Sequence, residues 1–332
     1  MFKNNKYLPF IGLLALLSAF FAFNFLTPLR TKPSAFKIGI TQIAPHPSLD
    51  AIRKGIEDTL SQNITNLDVT YENAQGNIGT ATQIAQKFAS LDLAAIITIT
   101  TPSTQAALPA FTNATVPLIF SAVSDPAAAK LEPADHPTLP LTGVYDPLPA
   151  TQQAELMANL LGKPHFTVGI VYNPGEVNAV SNKEAIGAAL KAIGAQVQVV
   201  TATKTTDAAS AAQSLIESVD ALYIGNDNTL VAALDAVLKV AHQHRKPVFC
   251  ADPESVKRGC LATIAYDQYT MGQQTALLAL NVLQNPLDKI PLQAATTLIT
   301  SINIDVARML TINIPSIYNA QTARFIGKDY NS

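Results

Sequence analysis

The residues able to do chemistry gather where short apolar runs end. Gln42 and His46 close and follow FKIGITQ (36–42), and Thr100, Thr101 and Ser103 close and follow LAAIITIT (93–100). Ser121, Ser124 and Asp125 do the same for PLIFSAV (117–123), and Asn173 for HFTVGIVYN (165–173). Asn226, Asp227 and Asn228 end DALYIGN (220–226), and Asp252 ends KPVFCAD (246–252). These are hydroxyls, amides and carboxylates. The Ser and Thr groups open helical stretches, whose free N–H groups and dipole favour an anion such as a carboxylate. Asp227 and Asp252 can receive an ammonium through charge-assisted bonds. Anion-binding groups facing acidic groups suit a zwitterion held between them. Taken singly, a Ser, Thr or Asp before a helix is a cap; the collective placement on one edge carries the information.

Catalytic patterns are missing from the sequence. It has no G-x-S-x-G elbow, no Walker A loop and no G-x-G-x-x-G after a strand. His46 could serve as a general base only with a partner, and none stands near it in sequence. The expectation is a binding protein, not an enzyme, without a cofactor. The five His (46, 136, 165, 242, 244) are scattered, and no Cys/His spacing fits zinc, so no metal site is expected. The two Cys, Cys250 and Cys260, could pair in an oxidising compartment or stand as two buried thiols.

The elements that position these groups alternate. Apolar runs open at 36, 67, 93 and 117, with helical periodicity over 46–60, 80–88 and from 103. A Pro-rich stretch, 125–149, interrupts the rhythm and holds one strand-like piece, LTGVYD (141–146). The alternation then restarts, with strands at 165–173, 195–202, 220–226, 246–252 and 260–267. Helices fall at 177–193, 206–219, 228–242 and 268–283. Continuous Ile/Val/Leu strands separated by helices predict a parallel sheet covered on both faces. FKIGITQ and FTVGIVYN are similar openings, so the chain reads as α/β with two doubly wound parallel-sheet lobes. The tail from 296 carries further strand-like and short helical pieces that cross between them.

The 332 residues suit two lobes. With 48% hydrophobic and 14% charged residues, disorder is excluded for the whole chain. Net charge is -2, so nothing favours binding a phosphate backbone and no nucleic-acid partner is expected. Only one run, Leu8–Leu26, is long and apolar enough to span a bilayer, which excludes a polytopic membrane protein. It follows Lys3 and Lys6, and reads either as a cleaved signal or as a retained inner-membrane anchor. Both place the rest of the chain in the periplasm or otherwise outside the cytoplasm.

ITQIAPHPSLDAIRKGIEDTL (40–60) resembles the opening of a family of ABC-transporter substrate-binding proteins. Matching blocks follow in order: NAQGN (73–77), TPSTQAA (101–107), PLIFSAVSDP (117–126), TGVYD (142–146), VGIVYNPGEVNAV (168–180), ALYIGNDNTL (221–230) and SINIDVARMLTINIP (301–315). The resemblance covers residues 36–315. It implies a type I periplasmic-binding-protein fold, with a hinge, a central ligand cleft and three crossings between the lobes. The expected division is a leader and linker over 1–33, one lobe of 34–146 with 268–296, and another of 147–267 with 297–332. The resemblance also implies a small amino-acid ligand, aromatic in character, delivered to an ABC permease and its ATPase. A membrane-tethered ligand sensor is the alternative. On this reading the ligand carboxylate lies on the Thr101–Ser103 turn and Ser121, and the ammonium near Asp227. Ile43, Tyr145 and Tyr172 would cover the side chain. The chain departs from the family in having no lipobox Cys after the apolar run, and around Cys250–Pro253.

Overall fold

The computed structural model describes residues 36–112, 114–285 and 290–327. The expected signal or anchor at 8–26 lies outside them. The described residues pack as one compact unit. In the first half, strands β1 (Phe36–Gln42), β2 (Leu67–Asn73), β3 (Ala95–Ile99), β4 (Leu118–Val123) and β5 (Leu141–Tyr145) alternate with helices. Those helices are α1 (Pro47–Asn63), α2 (Ile78–Ala89) and α3 (Thr101–Phe111). Helix α4 (Ala150–Leu161) then leads to β6 (Thr167–Tyr172), α5 (Val177–Ala192), β7 (Gln196–Thr201), α6 (Ala208–Leu215) and β8 (Ala221–Ile224). Next come α7 (Asn228–Ala232), α8 (Leu234–Gln243), β9 (Val248–Cys250), α9 (Pro253–Arg258) and β10 (Ala262–Tyr266). The chain closes with α10 (Gln268–Gln284), β11 (Gln293–Ala294), β12 (Leu298–Asn303), α11 (Ile304–Leu310) and β13 (Arg324–Ile326).

The strands form two sheets. One has six strands in the order β11-β5-β4-β3-β1-β2, and all its pairings are parallel. The other has seven, β13-β12-β10-β9-β8-β6-β7, parallel except where β12 runs against β10. In the second sheet the pleat supplies a separate core on each face. Ala221 and Tyr223 enter one, Leu222 and Ile224 the other. Successive residues of a strand point to opposite faces, which is why a doubly covered strand is apolar at every position. The fold is α/β with two parallel-sheet lobes, as the alternation predicts.

The chain passes between the sheets three times: at 146–149, at Asp267, and at 295–297. After the second passage α10 returns to pack along α1 and against β4 and β5. That contact is backbone on backbone. A Cβ on Gly55 would lie 2.2 Å from the Tyr269 carbonyl oxygen, and one on Gly272 would lie 2.1 Å from that of Ile52.

Three details differ from the sequence reading. Helix α4 was given no element, because its residues follow the Pro-rich stretch directly. The expected 228–242 helix is broken at Ala233 (φ -100, ψ 11) into α7 and α8. The expected 206–219 helix starts as a 3-10 turn at Thr205–Asp207 and ends at Leu215. Cys250 and Cys260 are free, buried thiols.

Alanine at Gly55 or Gly272 must push α10 off α1. Either substitution is expected to cost about 2 kcal/mol or more, read as a lowered urea midpoint with an unchanged slope. Unaltered midpoints for both would show that the helices do not meet this closely.

Candidate functional site

The carboxyl ends of both sheets face one cavity. Its walls come from the β1–α1 loop (Ala44, Pro45, His46, Ser48, Leu49), the start of α3 (Thr100, Thr101) and the end of β4 (Ala122, Ser124). Asp146 follows β5, and Asn178 stands in the first turn of α5. From the second sheet come Asn226, Asp227 and Asn228 ahead of and in α7, with Val231, Ala232, Asp252 and Gln268. Among the described lining residues there is no Lys or Arg.

Five of the predicted residues line this cavity: His46, Thr101, Asp227, Asn228 and Asp252. Most of them also cap helices, and the caps decide what each can still offer. Asp227 accepts from the Leu230 N–H at 2.9 Å through one oxygen and from the Asn173 N–H at 2.6 Å through the other. Burial first, and the neighbouring Glu176 charge second, push its pKa up to about 7. Asn228 gives its side-chain amide to Glu176 at 2.6 Å. Asp252 caps α9 by accepting from the Ser255 N–H at 2.8 Å and from the Ser255 hydroxyl. These polar groups mainly build the loops that carry them.

The other predicted residues do not line the cavity. Gln42 is buried and donates to the Ala44 carbonyl at 2.9 Å and to Asp50 at 3.1 Å, bracing the β1–α1 loop. Ser121 shares a 2.8 Å hydroxyl–hydroxyl bond with Thr275 of α10. Ser103 is buried behind the wall with its hydroxyl unpartnered. Asn173 forms a turn, accepting from the Gly175 N–H at 2.9 Å and donating to Thr229 at 2.9 Å. Asp125 and Tyr145 line a second, wider cavity with Pro147 and Leu148. Of the expected side-chain cover, Ile43 is core and Tyr172 lies under the Lys183 ammonium. The apolar wall is instead Ala44, Pro45, Leu49, Ala122, Val231 and Ala232.

What the cavity leaves unpaired is more selective. Buried polar atoms with no partner are the Thr100 and Thr101 hydroxyls, Asp146 Oδ1, Asn178 Oδ1 and His46 Nε2. Buried polar atoms of this kind call for a hydrogen-bond partner, which water or a ligand supplies. Asp146 is 6% exposed, and its other oxygen accepts a long 3.4 Å bond from Asn226. Burial drives its pKa up to about 7, against its own backbone N–H and the Ser124 hydroxyl, which pull it down. The wall is also strained. Thr100 has φ 86 and ψ 156, and Ala122 has φ 56 at a register shift in β4. Non-glycine residues held in such conformations cluster at functional sites.

Sequence reasoning missed Asp146, Asn178 and Ser48 as site groups. Asp146 was within its reach, because it ends LTGVYD and the strand-end rule applies there as elsewhere. Asn178 stands within a helix, where that rule does not look.

Two hydrogen bonds join elements of the two sheets, one across this cavity and one beside the second. The Ser48 hydroxyl donates to Asp252 at 2.6 Å, and the Ser181 hydroxyl to Asp125 at 2.9 Å.

The family described as ABC transporter substrate binding protein matches residues 37–324. The chain belongs to that family. It is 31% identical over 303 residues to the tyrosine-binding protein of Clostridioides difficile strain R20291, spanning 89% of this chain and 86% of that one. A Streptococcus pneumonia ABC domain solved in complex with L-Trp matches with TM-score 0.81 and 28% identity, over 88% of this chain and all of that one (100%). A ligand-free, open substrate binding protein with adhesive properties from Clostridium difficile matches with TM-score 0.66 and 30% identity, over 88% and 99%. Family membership makes the chain an extracytoplasmic substrate-binding protein of a transporter.

Closing the lobes over an ionised Asp146 with no cation is costly, and the cost is fully present above about pH 7. It fades as pH falls toward the ordinary carboxylate range. Burial lowers the pKa of His46, which favours its neutral ring. Ligand-free Asp146→Asn is therefore expected to be more compact than the unsubstituted protein at pH 8, read as radius of gyration by small-angle scattering. The difference should narrow at pH 6.5. Equal radii at pH 8 would show that Asp146 does not oppose empty closure.

Proposed function

We propose that this chain binds an aromatic L-amino acid between its lobes outside the cytoplasm and delivers it to an ABC permease. The observation that carries the reading is the set of unpaired buried atoms. Acceptors without a cation, Asp146 Oδ1 and Asn178 Oδ1, suit an ammonium. The Thr100 and Thr101 hydroxyls, with the free N–H groups opening α3, suit a carboxylate. This moves the ammonium from Asp227, whose oxygens are both taken by backbone N–H groups, to Asp146. The apolar part of the wall, with Leu49, Ala122 and Val231, would cover the side chain. The relatives that bind tyrosine and tryptophan support the aromatic class.

The conformation described here is the closed one on this reading. The chain matches the L-Trp complex better than the open, ligand-free relative at similar identity and coverage. The Ser48–Asp252 and Ser181–Asp125 bonds are then closure contacts, and a permease would read occupancy through them.

A thermal-shift series of residues 34–332 with L-tyrosine, L-tryptophan, L-phenylalanine and glucose tests the ligand class. An aromatic amino acid at a hundredfold excess over its dissociation constant should add about 2.7 kcal/mol of stability, and glucose none. Stabilisation by glucose alone would discard the amino-acid reading.

Calorimetric titration tests the roles. Asp146→Asn and Thr101→Ala should each weaken the best aromatic ligand about tenfold to a hundredfold. Ser48→Ala should weaken it about tenfold by loosening closure. Unchanged affinity in both Asp146→Asn and Thr101→Ala would remove the ammonium and carboxylate assignments together.

A further inference from the structure

Resting on the aromatic amino-acid reading, we propose that His46 determines specificity within that class. Its Nε2–H donates to an acceptor on the ligand side chain, which selects a phenol over a bare ring or an indole.

The argument begins with the cap. His46 is the N-cap of α1, extended at φ -151 and ψ 136, and its Nδ1 accepts the Ser48 N–H at 3.2 Å. An accepting Nδ1 carries no proton, so a neutral ring must carry it on Nε2. Burial favours the neutral ring. It pulls the pKa below the ordinary value, opposed by Asp252, Asp50 and Glu254 and assisted by Arg258. The loop is rigid as well. Gln42 braces it from beneath, and the Ser48 hydroxyl fixes it to Asp252 across the cavity. The helix start thus fixes both the tautomer and the direction of the remaining nitrogen.

Nε2 is buried without a partner on the cavity wall. The other unpaired wall atoms are hydroxyls, which can donate or accept, and the acceptors Asp146 Oδ1 and Asn178 Oδ1. Among the described lining residues, His46 Nε2–H is therefore the one unpaired side-chain group that can only donate. It also lies apart from the ammonium pole. Asp146 follows β5 and His46 follows β1, with β4 and β3 between them. The strands that carry them lie three spacings, about 14 Å, apart. A ligand whose ammonium sits at Asp146 presents its far end to His46.

The three aromatic side chains differ in what they bring there. A phenol oxygen accepts, and pairs with Nε2–H. A phenyl ring brings nothing and leaves the donor buried and unmet. An indole N–H only donates, and sets donor against donor. A site with a fixed buried donor rejects ligands that cannot satisfy it.

The test is calorimetric titration of the unsubstituted protein and His46→Asn with L-tyrosine, L-phenylalanine and L-tryptophan. Asn caps a helix well through its own Oδ1 but is too short to place a donor at the Nε2 position. The expected result is tyrosine binding about tenfold or more tighter than phenylalanine in the unsubstituted protein. In His46→Asn the tyrosine advantage should vanish while phenylalanine affinity holds, which also shows that the cleft is intact. Tyrosine binding no better than phenylalanine, or an equal loss of all ligands on substitution, would overturn the role of His46 and leave the aromatic class standing. If none of the three binds, the functional reading itself fails, and this inference with it. Should His46→Asn not fold, the affinity ratios of the unsubstituted protein still decide.

Discussion

A carboxylate shut into a cavity without a cation is the constraint around which this structure is arranged. The rise of the Asp146 pKa from 3.8 to about 7 corresponds to about 4 kcal/mol against the ionised form. Two hydroxyl-to-carboxylate bonds bridge the lobes, each of a kind worth about 1.5–3 kcal/mol. On the proposed reading, a ligand ammonium turns that penalty into an ion pair, so Asp146, on a segment that joins the two sheets, couples occupancy to closure.

The surrounding fold keeps that coupling from leaking into other motions. On the proposed closure the passages between the sheets bend, and the elements beside them are closely packed. Gly55 and Gly272 let α1 and α10 touch backbone to backbone, which ties the β1–α1 loop to the helix that begins at the second passage. Thr275 of the same helix holds Ser121 of β4. The two strained wall residues, Thr100 just after β3 and Ala122 within the adjacent β4, lie beside this braced region. Conformations costing about 1–3 kcal/mol persist only where the surroundings over-determine them.

Much of the fold was legible because burial on both faces writes itself into sequence. AIITI is buried at every position, and so is ALYI. Helix limits were less legible. The break at Ala233 has no Gly or Pro to mark it, and α4 begins directly at the Pro-rich stretch. The site was half legible. Strand ends could be found, since they follow apolar runs, and five of the proposed residues do line the cavity. The partnerships across it could not. Ser48 and Asp252 stand 204 positions apart, and nothing local to either announces the other.

The same edge of a parallel sheet must start helices and hold ligand, and one set of residue types serves both needs. Asp227 and Asp146 are identical in type and each follows a strand, yet their availability is opposite. Asp227 precedes a helix, and the backbone N–H groups of Leu230 and Asn173 take both its oxygens. Asp146 precedes the Pro147–Leu148–Pro149 crossing. Prolines have no N–H to donate, and the nearest helix begins only at Ala150. No helix start claims Asp146, and its Oδ1 stays unpaired. His46 is the intermediate case: a cap that spends one nitrogen on its helix and keeps the other. The residues that serve a ligand at such an edge are those the helix starts leave unfinished. Reading them from sequence requires asking which donors the following backbone lacks.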